Sequence, residues 1–287
     1  MSFAIPGVLW RRDPEAAAVP LIFDSPHSGS RYPEDFRFTC AFDLLRRAED
    51  AYVDELYETA PGFGATLLAA EFPRSYVDVN RAVEDLDPSL IEGAWPVELS
   101  PSHKTRGGLG VVRRVARPGI PIYGGKLSAD EIIARIERCH APYHRELEET
   151  CDRLHRGFGV VWHVNCHSMP SSGGPRGQRG QCLDFVLGDR DGTTCDRAFT
   201  DFVAGVLRGL GYSVAVNEVY KGVEIVKRYG RPHENRHSLQ IEVDRALYMD
   251  QKSLEKTAGF DRLKADIAQL IEALRGFAAE RGNAERG

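Results

Sequence analysis

The chain has 287 residues, 42% hydrophobic and 28% charged, enough apolar material for a substantial core without covalent staples. A formal net charge of −5 excludes the global basic field that nucleic acid or an anionic membrane calls for, so neither is an expected partner. The six cysteines form no CxxC pair, no signal-like apolar stretch opens the chain, and nowhere do about 18 apolar residues run uninterrupted, which predicts a soluble, cytoplasmic protein with reduced thiols.

From the N-terminus, a first strand is predicted at Val19–Asp24, ending in the turn of FDSPHSGSRYP. Ligands in open α/β sheets gather beyond the carboxyl ends of strands. His27 is therefore either a metal-binding or catalytic group or a turn histidine bonded to backbone. A helix follows at about Phe42–Thr59, with Asp50 and Asp54 at i and i+4 on one face. One of them could present a metal ligand, although helix solvation would explain either. Strands at Ala65–Glu71 and Tyr76–Val79 surround EFPRSYVDVNR, where Arg74, Asp78, Asn80 and Arg81 crowd one strand end. Fixed guanidinium and amide groups suit a carboxylate, and a solvated salt-bridge cluster is the alternative.

Pro88–Gly125 is irregular and locally basic, and reads as a functional insertion or lid. Its RGGLG lacks the lysine and spacing of a P-loop. Ser128 as N-cap with Glu131 three residues on forms a capping box for a long helix, expected to break or bend at Pro142. A strand at Val160–Asn165 opens VVWHVNCHSMP. His163 inside it points into sheet packing, whereas His167 just beyond it is the better ligand. Cys166 could be a nucleophile, but its apolar run and missing activator favour a buried structural thiol.

Further strands are predicted at Asp184–Leu187 and Ser213–Val216, with a helix at Asp196–Leu210 between them. The intervening LGDRDGTTCD misses the calcium-loop pattern. The strand Leu239–Val243 places Gln240, Glu242 and Asp244 on one face and Leu239, Ile241 and Val243 on the other. A carboxylate in such a strand is either paired, with Arg245 as the available cation, or poised as a base. A last helix spans Leu254–Arg281, and the ending ERGNAERG is polar enough to fray. This alternation predicts an α/β fold with a helix-covered sheet. With no GxGxxG after a strand and no GxSxG elbow, nucleotide binding and a serine hydrolase mechanism are disfavoured.

In order, PHSG at His27, DxxxDxLY from Asp50, RSYVDVNR from Arg74, NCHSMPS from Asn165, NEVYKG from Asn217 and LQIEVDRALYMD from Leu239 resemble the N-formylglutamate amidohydrolase family over roughly residues 18 to 275. The resemblance implies a single domain with a central mixed β-sheet flanked by helices, like that of zinc carboxypeptidases and aspartoacylase. It also implies hydrolysis of an N-acyl amino acid, N-formyl-L-glutamate, to formate and glutamate in histidine degradation, with one Zn²⁺ as cofactor. Deacylation of another N-acyl amino acid or small peptide is the alternative, and a non-catalytic metabolite binder is disfavoured by the retained Glu242. By the same resemblance His27 and His167 bind zinc, Glu242 is the general base, and Arg74 polarises the scissile carbonyl. Asn80 and Arg81 hold a substrate carboxylate, with Tyr220 and Lys221 as further contacts. Ser30 stands where the related enzymes carry an acidic ligand, so Asp50 is proposed in its place, with Asp54 behind it. Asn165 and Val223 depart from the expected Asp and second Gly.

Overall fold

Alternation along the central strands sorts apolar from polar side chains onto opposite faces of one sheet. The computed structural model describes residues 2–171 and 182–284. Its main sheet is built from β1 (Ser2–Ile5), β2 (Leu9–Arg12), β3 (Leu21–Ser25), β4 (Thr66–Ala70), β9 (Val161–Met169), β10 (Phe185–Gly188), β11 (Val214–Val216) and β12 (Arg236–Asp244). The intervening numbers belong to two-stranded pieces outside it: β5 (Ile91–Glu92) pairs with β8 (Leu127–Ser128), and β6 (Val115–Arg117) with β7 (Ile120–Pro121).

The strand order is β1-β2-β4-β3-β9-β12-β10-β11. Parallel pairing runs from β4 through β3 and β9 to β12, while β1, β2 and β10 join antiparallel, so the sheet is mixed. The carboxyl ends of the four parallel strands consequently share one edge.

The helices are α1 (Phe42–Arg46), α2 (Val53–Leu56), α3 (His103–Arg106), α4 (Ala129–Arg135), α5 (Ala141–Phe158), α6 (Arg197–Gly209), α7 (Glu224–Tyr229) and α8 (Gly259–Ala284). On one face Phe23, Val164 and Ile241 pack against Leu56, Phe199, Val203, Leu263, Ile267 and Leu270 from α2, α6 and α8. The opposite face contributes Ile22, Leu68 and Val161 to a core with Ile132, Tyr143 and Leu147 from α4 and α5. Each sheet face is thus buried by helices, as a largely parallel sheet requires. Among the described residues no helix is long and apolar enough to cross a membrane.

Several elements differ from the sequence reading. The helix expected at 42–59 is two short ones, separated by a turn in which Tyr52 has φ 66°. Asp50 lies in that turn, its N–H donating to the His27 carbonyl at 2.9 Å, so the chain is drawn toward the first strand end and cannot continue helically. Asp50 and Asp54 therefore do not share a helix face. Tyr76–Val79 is not a strand. Its apolar side chains are buried, but its backbone turns, with Tyr76 N–H bonded to the Pro73 carbonyl and Asp78 N–H to that of Val111.

β9 runs four residues past the expected end because β12 pairs with it along its whole length, placing His167 within a strand. Pro142 does not break the long helix. Ser128 caps α4 as predicted, and a π-helical turn at Ile136–His140 carries the chain into α5, accommodating the missing N–H. The β1–β2 hairpin was not anticipated: its first strand is mostly exposed, and Pro6-Gly7 was the signal for the turn. α8 starts later than expected and continues through Ala284; the remaining residues of ERGNAERG lie outside the described ones.

Candidate active site

The parallel register puts polar side chains in a buried row beneath the shared strand edge. Asp24 stands opposite Asn165, Gln240 also opposite Asn165, and Glu242 opposite His167. His27 follows in the turn after β3. That turn is pressed against the chain leaving β4, and at Gly29 a Cβ would lie 2.3 Å from the Phe72 carbonyl oxygen, so no larger residue fits.

His27, Asp50 and His167 meet here, with one ligating atom from each within 4.8 Å of the others, and all three residues are buried. Hydrogen bonds fix which ring nitrogens face inward. His27 Nε2–H donates to Asp78 Oδ1 at 2.7 Å. Asn165 Nδ2 donates to Asp24 Oδ1 at 2.7 Å, which turns Asn165 Oδ1 toward His167, and His167 Nε2–H donates to it at 2.8 Å. The two Nδ1 atoms face inward, 3.1 Å apart, and lie 3.4 and 2.9 Å from Asp50 Oδ2. As neutral rings bonded through Nε2, the two imidazoles can turn lone pairs to the same point as the carboxylate. A divalent cation satisfies all three, so the donor set of two imidazoles and a carboxylate fits zinc.

The other Asp50 oxygen accepts from Arg245 Nη2 at 2.9 Å and Ser168 Oγ at 3.2 Å. Burial alone would raise the Asp50 pKa, yet its contacts with His167 and His27 and the Arg74 charge hold it well below the usual carboxylate range. Asp78 is held low against the same burial penalty by Arg74 and His27. Its Oδ2 receives Arg74 Nε and Nη2 at 3.2 and 2.9 Å, so one carboxylate orients both the His27 imidazole and a guanidinium. Asp54 stays outside the cluster. Burial, reinforced by Glu55, pushes its carboxyl up to about 6, and its backbone N–H donates to Ser28 Oγ at 3.1 Å.

Glu242 has no cation within ion-pair distance among the described residues; Arg245 has turned to Asp50, Ser168 and the Arg47 carbonyl. Among the described residues its one hydrogen bond comes from Gln240 Nε2 at 3.1 Å. Burial pushes its pKa up to about 7, His167 opposing and the Asp50 charge assisting. Of the two readings left open by the sequence, the poised carboxyl fits this environment. Cys166 lies on the apolar face, its thiol raised well above the ordinary value by burial, as a structural cysteine should be. His163 is buried as expected but among polar partners, Asp24 Oδ1 and Ser238 Oγ, each at 2.8 Å.

A cavity of about 820 Å³ opens above His167 and Glu242. Arg74, Asn80, Arg81, Tyr220 and Lys221 all line it, and so does the 88–125 insertion, through Ser102–Lys104, Leu109, Arg113 and Ala116–Pro118. Eight Lys or Arg side chains face two carboxylates, Asp85 and Glu242, so the wall is cationic although the chain carries −5. Asn80 and Arg81, the pair expected to hold a carboxylate, are more committed to the protein than the sequence suggests. Asn80 Oδ1 accepts from Ile225 N–H at 2.9 Å, and Arg81 donates Nε and Nη1 to the Leu109 and Asn80 carbonyls. Lys221 is exposed and pairs with Asp191 at 2.9 Å. Val223, with φ −123°, needs no glycine.

Sequence spacing does not show Asp24, Asp78 and Asn165 as supports of the two imidazoles, nor Gln240 and Arg113 as groups around the site, and it offers Arg245 to Glu242 where the structure gives it to Asp50. Asp78 and Arg245 were visible inside quoted motifs, but nothing local showed what they would touch.

The N-formylglutamate amidohydrolase family model matches residues 19–249. The N-formylglutamate deformylases of Pseudomonas aeruginosa and Pseudomonas putida are each 30% identical over 277 residues, covering 92% of this chain and 95% of theirs. A crystal structure of N-formylglutamate amidohydrolase from Ralstonia eutropha JMP134 superposes with a TM-score of 0.92 at 44% identity, covering 96% of this chain and 99% of that one. The Agrobacterium tumefaciens gene product Atu2144 shares the fold, with a TM-score of 0.63 at 18% identity over 98% of this chain and 94% of its own. The chain therefore belongs to the N-formylglutamate amidohydrolase family.

Proposed function

We propose that this protein is a metal-dependent deformylase that hydrolyses N-formyl-L-glutamate to formate and L-glutamate, with His27, Asp50 and His167 holding one Zn²⁺. The carrying observation is the convergence of three metal-ligand-type atoms, from His27, Asp50 and His167, beside Glu242 at the floor of a cationic cavity. A dicarboxylate suits that wall, and deformylases of this name are the relatives found.

When bound, the ion supplies Lewis acidity and brings the pKa of a coordinated water to about 7. The protein's own groups do the rest. Glu242, desolvated and opposite His167, accepts a proton from the attacking water as the new C–O bond forms at the formyl carbon. Arg74, held by Asp78 in two hydrogen bonds, donates to the oxyanion that develops. As the C–N bond breaks, Glu242 returns its proton to the leaving amine. Asp78 and the Asn165–Asp24 pair keep both imidazoles in the ligating tautomer throughout.

The substrate is tested by formate release from N-formyl-L-glutamate and from N-acetyl-L-glutamate. Preferred turnover of the formyl compound supports the reading. Turnover of the acetyl compound alone would make the protein a different deacylase.

A further inference from the structure

We infer that Arg113, contributed by the 88–125 insertion, is a specificity residue whose guanidinium receives one of the two carboxylates of the substrate. This rests on the dicarboxylate reading above and adds a residue to it.

The cationic side chains at the cavity are unequally employed. Arg245 has three partners, Arg74 has two hydrogen bonds to Asp78, and Arg81 donates to two backbone carbonyls. Arg113 is 8% exposed, yet among the described residues it makes a single long hydrogen bond, Nη2 to Asp78 Oδ2 at 3.4 Å. Its Nε is one of eight buried side-chain polar atoms without a partner among the described residues. Only two of those eight belong to residues lining the cavity, Arg113 and Gln240. A buried donor without an acceptor is destabilising, because it has lost its water without gaining a partner. Burial and the Arg74 and Arg81 charges also push the Arg113 pKa down to about 9, which leaves it protonated at neutral pH but short of counter-charge. An anionic ligand supplies both missing elements, and a guanidinium can receive a carboxylate through two parallel bonds.

The residue is also held in place before any ligand arrives. Val111 N–H donates to the Asp85 carbonyl at 2.9 Å and Asp78 N–H to the Val111 carbonyl at 2.7 Å, tying this stretch to the segment that bears Arg74 and Asn80. At Gly110 a Cβ would stand 2.7 Å from the Asp85 carbonyl oxygen, so the approach is close. Such fixed placement limits the entropy lost on binding.

The test is calorimetric titration of the metal-loaded protein and of Arg113→Met with L-glutamate, L-norvaline, which lacks the side-chain carboxylate, and 4-aminobutanoate, which lacks the α-carboxylate. Steady-state kinetics on the three N-formyl derivatives run alongside. Arg113→Met should weaken L-glutamate roughly 10- to 100-fold, and raise KM more than it lowers kcat. The penalty should vanish for one of the two monocarboxylates, and Arg113→Lys should recover part of it. Equal penalties on all three ligands, or none on any, would overturn the inference. Binding is read apart from turnover, so failure of the wild type to deformylate N-formyl-L-glutamate would count against the activity alone.

Discussion

Glu242 stands directly opposite His167 in the parallel register of β12 and β9, so a desolvated carboxyl and a buried imidazole project side by side from neighbouring strands. Backbone pairing sets that relationship, and replacing either side chain leaves the other where it was. Glu242→Gln should therefore retain metal while losing turnover by about 10²–10⁴-fold. Metal content and formate release on one preparation check it, and a variant that keeps near-normal turnover would remove Glu242 from the proton-transfer role.

Asp50 serves two purposes, one oxygen facing the imidazoles and the other bonded to Arg245 and Ser168. Asp50→Ala should abolish metal binding and also destabilise the fold by about 3–5 kcal/mol, because Arg245 is left buried without its partner. Asp50→Asn should lose metal with a smaller drop in stability. Chemical denaturation beside metal analysis separates the two effects, and a zinc-loaded, active Asp50→Ala protein would exclude Asp50 as a ligand.

The chain His167, Asn165, Asp24 fixes a tautomer through an amide where a direct carboxylate was expected. Asn165→Leu should weaken metal affinity by about 10- to 100-fold without removing a ligand. Competition with a chromogenic chelator reads this directly. Unchanged affinity would mean that the amide is not needed to orient the ring.

Asp54 is predicted to be a stability liability near neutral pH. Its folded pKa of about 6 lies above the 3.8 of an unperturbed aspartate, so the folded state binds the extra proton between those values and stability falls as pH rises through that window. Asp54→Asn should match the wild type near pH 4 and exceed it above pH 7, by an amount on the order of 2 kcal/mol. Denaturation midpoints at the two pH values test the sign; a gain confined to pH 4 would contradict it.

Much of this site was legible because strand periodicity and strand-end position are local properties. His27 after β3 and Glu242 on the polar face of β12 needed only alternation and the rule that ligands gather at carboxyl ends. His167 was singled out on the same rule, although the strand proved to extend past it. Helical periodicity placed Asp50 wrongly on a continuous helix, because the hydrogen bond from its N–H to His27 is a tertiary interaction that overrides the local pattern. The apolar run at 76–79 looked like a strand because burial without pairing leaves the same signature. The tautomer-fixing roles of Asp78 and Asn165, and the poor satisfaction of Arg113, depend on contacts between distant segments and could not be read from spacing.

Removal and return of the metal bears most directly on the central claim that His27, Asp50 and His167 bind the ion on which amide hydrolysis depends. Protein stripped with a chelator should release no formate from N-formyl-L-glutamate, and about one equivalent of Zn²⁺ per chain should restore turnover. Full turnover by demonstrably metal-free protein would contradict it.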